Sequence, residues 1–266
     1  MISPQIGNPT GMTRRDGDSW GVADGAGPTA LGVAMARAWE AESDCPLFTD
    51  PWARLLVGAA AGTGPEPAPE QRESITNYAA ARTKWFDEYF LAASAAGVAQ
   101  VVILGAGLDT RPWRLPWLSD SVVFEVDQPK VLALKTATMD ASGAQLAAKY
   151  VPVPIDFQDD WPHALRSAGF DHNEPTAWAA EGLLSYMSAA DQDRLFEHIA
   201  MYSARRSRFA VEASTDTGTD VAQWLCCHHW EVMSTDARDL LSRYHRAPAS
   251  GDRSGALSVF VEAKLL

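Results

Sequence analysis

The sequence predicts a doubly wound α/β sheet preceded by a helical N-terminal segment. Three observations carry this. The first hundred residues hold helical periodicity and no strand-like run. From Val101 onward, short apolar runs alternate with helix-like stretches, the order expected of a mostly parallel sheet with crossover helices. The first of these runs, VVIL (101–104), is apolar throughout, as a strand covered on both faces must be.

Residues 1–20 are polar and rich in Gly, Pro and Arg, which predicts a mobile arm. Thr29 to Glu42 reads as a helix with Thr29 as N-cap. Asp50-Pro51 opens a second helix, with Pro51 at its first position. GTGPEPAPE (62–70) is a breaker stretch and a surface loop. Glu73 to Ala96 is a long helix closed by Gly97, with Ile75, Tyr78, Arg82, Trp85, Phe86, Tyr89 and Phe90 at spacings of three and four. After VVIL, strands are expected at 121–127, 150–156, 175–182, 207–213, 230–234 and 256–266. Helices fall at 129–139, 161–168, 191–202, 220–227 and 235–244. The last strand reads as a reversed edge strand. The chain thus divides into an arm (1–20), a helical cap region (21–98) and a sheet domain (99–266).

Composition narrows the function. A chain of 266 residues allows one elaborated domain or two small ones. Hydrophobic residues at 47% exclude a wholly disordered chain. A net charge of −12 repels phosphate backbones and anionic lipid, so neither nucleic acid nor a membrane surface is an expected partner. No apolar run approaches the ~20 residues that cross a bilayer. The N-terminus lacks an apolar signal core, and three cysteines make no disulfide framework, so a cytoplasmic location is expected. Cys226-Cys227-His228-His229 invites a metal reading. Four consecutive residues point around a helix rather than converge, so no metal is expected, and the cysteines read as partly buried. Ten Trp form either a deep core or an apolar pocket.

In an open parallel sheet, ligands bind beyond the carboxyl ends of the strands. Gly105-Ala106-Gly107 follows the first strand, where glycine permits positive φ and close approach of a ligand. A dinucleotide fingerprint would place a third small residue at 110, where Thr110 stands. Asp127 ends the second strand, twenty residues after Gly107, the spacing of an acid that accepts from ribose hydroxyls. Asp156-Phe157 follows the third strand and suits an adenine amino group and ring face. Glu181 follows the fourth. A rim this acidic disfavours pyrophosphate and suits a cationic nucleoside. S-adenosylmethionine has an adenine, a ribose diol, a sulfonium and no phosphate.

Several ordered stretches also resemble one family: NYAAARTKWFDEYF, VAQVVILGAGLDTRPWRL, FEVDQPKVLALK, VPVPIDFQDDWPHAL and PTAWAAEGLLSYMSAADQDRLF, with SWGVADGAGPTALGVAMARAWEAE and PLFTDPWA upstream. Over roughly residues 19–213 the chain resembles the leucine carboxyl methyltransferase-like family. It is most similar to the branch of S-adenosylmethionine-dependent methyltransferases abundant in mycobacteria and other actinobacteria. The resemblance implies a class I methyltransferase, Rossmann-like sheet with a helical N-terminal cap. It implies that Asp127 binds ribose, that Asp156 and Phe157 contact adenine, and that Gly105 falls in the glycine turn. It further implies that Arg82 reaches the cofactor carboxylate and that Glu181 lies beside the methionine moiety. The link after the fifth strand is shorter than the family's usual insertion, so the acceptor pocket is expected to differ.

The expected activity is O-methylation of a small-molecule or carboxylate acceptor. A carboxylate needs no base, whereas a hydroxyl does. Tyr186 is a weak catalytic candidate and His163 a weaker one. The alternatives are a NAD-dependent oxidoreductase and a non-catalytic, cofactor-binding regulatory protein. Acceptor and oligomeric state stay open.

Overall fold

A computed structural model describes residues 27–60, 67–214, 218–246 and 258–266. The arm expected at 1–20 lies outside the described residues, as does most of the expected 62–70 loop. Three helices precede the sheet: α1 (Gly27–Ala41), α2 (Ala53–Ala59) and α3 (Pro69–Ala95). There follow β1 (Gln100–Leu104), α4 (Arg111–Arg114), β2 (Val122–Asp127), α5 (Pro129–Ser142), β3 (Lys149–Pro154), α6 (Trp161–Ser167) and β4 (Thr176–Ala180). A 3₁₀ turn (Leu184–Tyr186) leads to α7 (Ala189–Met201), β5 (Arg208–Ser214), α8 (Val221–Cys227), β6 (Trp230–Asp236), α9 (Ala237–Arg243) and β7 (Ser258–Leu265).

The seven strands run in the order β3-β2-β1-β4-β5-β7-β6. β1 to β5 are mutually parallel where they pair, and β7 is antiparallel to both β5 and β6. The final strand is therefore reversed, as expected, but it is not at the edge. It inserts between β5 and β6, and β6 takes the edge. The reason lies in burial: Phe260, Val261 and Ala263 of β7 are buried, whereas β6 buries only Trp230. The more apolar strand goes inside.

The alternation along β1 places its side chains in two cores. Val102 and Leu104 pack with Trp178, Trp161, Phe196 and Leu225, so α6, α7 and α8 cover one face. Val101 and Ile103 pack with Trp85, Phe86, Tyr89, Phe90 and Leu240, so α3 and α9 cover the other. Every residue of β4 is buried, which fits its place near the centre of the sheet. Six Trp (85, 113, 117, 161, 178 and 230) are buried, five in these cores and Trp113 in a third cluster with Leu108 and Met139, so the rings chiefly fill the interior. Pro51 is not the first helical residue. Asp50 accepts from the Trp52 and Ala53 N–H groups at 3.2 and 3.0 Å, which delays the start of α2 to Ala53. Cys226 and Cys227 are exposed rather than partly buried, because α8 turns Val221 and Leu225 inward and its last turn faces solvent. Among the described residues, no helix is long and apolar enough to cross a membrane.

One buried ion pair lies between β2 and α5. Lys135 Nζ is 2.5 Å from Glu125 Oε2, and both side chains are fully buried. Tyr150 donates to the same oxygen at 2.8 Å. Burial lifts the Glu125 carboxyl from 4.5 to about 7, against the pull of Lys135. A native value above the unfolded one means that the protonated form favours folding. This contribution is complete below pH 4.5 and is lost as pH rises through about 7. Thermal unfolding of wild type is thus expected to lose stability across this window relative to Glu125→Gln. Parallel pH profiles for the two proteins would contradict it.

Candidate active site

The carboxyl ends of the parallel strands converge on one rim. β1 is followed by Gly105 and Gly107, with φ of 66° and 50°, a conformation that side chains with a Cβ rarely adopt. A Cβ on Gly105 would lie 3.0 Å from Leu183 Cδ1, so Leu183 would have to shift to admit a side chain there. Asp127, at the end of β2, reaches back across this turn. Its Oδ2 accepts the Gly107 N–H at 2.6 Å, and its Oδ1 accepts the Gln128 N–H at 2.6 Å. Burial raises the Asp127 carboxyl above its ordinary range, the two N–H donors oppose this, and the nearby Asp156 charge adds to it. The Ile155 N–H donates to the Asp127 carbonyl at 2.9 Å, which puts Asp156 beside Asp127 off neighbouring strands. Asp156 is half-buried and accepts the Gln158 N–H at 3.0 Å. The Phe157 ring is half-buried, with its centroid 6.2 Å from Trp161.

Farther along the rim lies a buried ionic chain. Glu181, just after β4, forms an ion pair with Arg82, whose Nε is 3.0 Å from Oε1, and accepts Arg111 Nη1 at 2.9 Å on Oε2. Arg82 also meets Glu212 Oε2, near the end of β5, at 3.0 Å, and Tyr78 donates its hydroxyl to Glu212. Arg111 is held by Asp87 at 2.7 Å and by Asp109, over the rings of Phe86 and Phe90. Asp87 in turn takes both Nη atoms of Arg114, at 2.6 and 2.7 Å. Burial disfavours the Arg82 cation, but Glu212 and Glu181 more than offset that, so its pKa lies above the ordinary value.

The structure therefore brings Gly105, Gly107, Asp127, Asp156 and Phe157 to the tips of β1 to β3. It brings Arg82 and Glu181 together at β4, 3.0 Å apart. Tyr186 stands apart. It ends the 3₁₀ turn with 66% of its surface exposed. His163 is also exposed, in the first turn of α6. Sequence reasoning missed Glu212 and Arg111. Glu212 carried the same signal as the other rim acids, an acid at the end of an apolar run. Arg111 follows the glycine turn directly, but its three carboxylate partners come from separate segments. Among the described residues, no group of three or more His, Cys, Asp or Glu side chains is placed to hold a metal ion.

A seven-stranded sheet of this order, with its penultimate position filled by the reversed last strand, is the class I methyltransferase fold. The leucine carboxyl methyltransferase family matches residues 30–200, and the chain belongs to that family. A relative from Mycolicibacterium gilvum (strain PYR-GCK), provisionally named an S-adenosyl-L-methionine-dependent methyltransferase, is 55% identical over 250 residues, covering 94% of this chain and 98% of its own length. One from Mycolicibacterium smegmatis carries the same name and is 42% identical over 309 aligned positions, covering 96% and 98%. Since 309 exceeds the 266 residues here, that relative carries segments without a counterpart in this chain. Among solved structures, magnesium protoporphyrin IX methyltransferase from Synechocystis PCC 6803, with bound S-adenosylmethionine, superposes with a TM-score of 0.50 at 10% identity. It covers 88% of this chain and 97% of its own, a likeness of fold alone.

Proposed function

We propose that this protein transfers a methyl group from S-adenosylmethionine to an oxygen atom of a small-molecule or carboxylate acceptor. Methyl transfer from this donor is the activity in its relatives' names, and the family name supports a carboxylate acceptor. The observation that carries the reading is the acidic rim of Asp127, Asp156 and Glu181. Asp127 fits a ribose diol: each carboxylate oxygen holds one backbone N–H and retains a further acceptor site. The nearby guanidinium groups of Arg82, Arg111 and Arg37 are each committed to carboxylates, so a pyrophosphate would meet net negative charge. This observation, with family membership, displaces the oxidoreductase alternative.

In this proposal Gly105 and Gly107 admit the cofactor against bare backbone. Asp127 orients its ribose, Asp156 and Phe157 its adenine, Glu181 meets its ammonium, and its carboxylate shares Arg82 with Glu181 and Glu212. When bound, S-adenosylmethionine supplies a methyl group on an electrophilic sulfonium, open to in-line displacement. The protein then has to align an acceptor oxygen, exclude water and tolerate loss of positive charge. An ionised carboxylate needs no proton removed, so the transfer asks for no general base. The division into a helical cap (21–98) and a cofactor domain (99–266) is part of the proposal. So is a cytoplasmic location, which the exposed free thiols of Cys45, Cys226 and Cys227 suit.

The test is methyl transfer from radiolabelled S-adenosylmethionine to a panel of small carboxylic acids and phenols. Label is expected in a base-labile ester of at least one acid. Cofactor binding with no product from any acceptor would favour a non-catalytic, regulatory protein.

A further inference from the structure

Arg37, Asp50 and Thr110 form a buried cluster to which the methyl-transfer reading assigns no part in holding the cofactor or acceptor. The Asp50 side chain is wholly buried. Its Oδ2 accepts Arg37 Nε at 3.0 Å and the Thr110 hydroxyl at 2.8 Å. Its Oδ1 accepts the N–H groups of Trp52 at 3.2 Å and Ala53 at 3.0 Å. A carboxylate offers about four acceptor positions, and here all are filled. Arg37 also donates from Nη2 to the Leu108 carbonyl at 2.5 Å. One carboxylate thus gathers donors from α1, from the start of α2 and from the segment after Gly107. Farther up α1, Ala30 Cβ lies 3.4 Å from the position a Cβ on Gly107 would take.

We propose that Asp50 is a positioning residue that, through Arg37 and Thr110, couples docking of α1 and α2 to the shape of the glycine turn and so to cofactor affinity. The inference rests on the assignment of that turn to S-adenosylmethionine. The turn holds two residues at positive φ, and the clamp grips it at Leu108 and Thr110, immediately after them. This also accounts for Thr110, which breaks the dinucleotide fingerprint: its hydroxyl is the turn's side-chain link to Asp50. Coupling of this kind is reciprocal. If docked helices tighten cofactor binding, bound cofactor holds the helices docked by the same factor.

The experiment titrates S-adenosylhomocysteine into the full chain by calorimetry and follows amide hydrogen exchange with and without it. Thr110→Val removes one donor at nearly constant volume and is expected to raise Kd about 3- to 10-fold. Asp50→Asn removes the charge that Arg37 faces and is expected to raise it about 5- to 50-fold. In wild type, the ligand is expected to slow exchange in α1 and α2 as well as in 105–111. A folded Thr110→Val with wild-type Kd, or protection confined to 105–111, would overturn the coupling. The Thr110→Val result decides the matter if Asp50→Asn does not fold. A wild type that ignores the ligand would instead overturn the cofactor assignment beneath it.

Discussion

Asp127→Ala is expected to weaken S-adenosylhomocysteine binding by about 10²- to 10⁴-fold. The proposed site would lose two hydrogen bonds from a ribose diol to a carboxylate, each worth about 1.5–3 kcal/mol, and about 1.4 kcal/mol is tenfold in affinity. The Ala variant also strips the Gly107 and Gln128 N–H groups of their acceptor, so part of its effect is a loosened turn. Asp127→Asn separates the two contributions. It keeps one carbonyl oxygen and removes the charge that burial already disfavours. Its NH2 can no longer accept one of the two backbone N–H groups, so its melting temperature is expected to fall, though less than in the Ala variant, while affinity falls about tenfold. Calorimetry and thermal unfolding on the same samples decide it. Wild-type affinity in both variants would remove Asp127 from the cofactor site.

Arg111→Met is expected to give the largest loss of stability. It strands Asp87, Asp109 and Glu181 without the cation they share, although Asp87 keeps Arg114 and Glu181 keeps Arg82. Breaking one member of a buried ionic cluster costs about 3–5 kcal/mol. At about 2–4 °C per kcal/mol for a chain of this size, the melting temperature should fall by about 6–20 °C. Arg111→Lys should fall between, because an ammonium cannot reproduce the guanidinium fork. The acid limb carries a second signature. Burial alone would raise Asp109, but Arg111 and Arg37 overcome it and hold the carboxyl at about 2. A native value below the ordinary 3.8 gives stability that is present above pH 3.8 and lost as pH falls through about 2. Arg111→Met should lose it at higher pH. A Met variant that melts within about 2 °C of wild type would show that the cluster does not depend on Arg111.

The strands were legible because burial on both faces leaves an unmistakable pattern. VVIL, SVVFEVD and SRFAVEA each begin and end within one residue of β1, β2 and β5. The acids at the rim were legible for the same reason: once a strand end is known, so is the edge it points to. Spatial neighbours were not. Reversal of the last strand was read from its place after WEVMS, but its insertion beside β5 depends on which strand buries more, a comparison between segments. The partners of Arg82 were equally hidden, since Glu212 lies 130 residues away in sequence. The start of α2 was misplaced because proline preference is local, while the Asp50 carboxylate that delays the helix also serves Arg37 and Thr110.

Side-by-side calorimetric titration of the wild-type chain with S-adenosylhomocysteine and with NAD tests the acidic rim most directly. One molecule of S-adenosylhomocysteine bound per chain at micromolar concentration, with no heat from NAD, is the expected result. Saturable binding of NAD with none of S-adenosylhomocysteine would contradict the account.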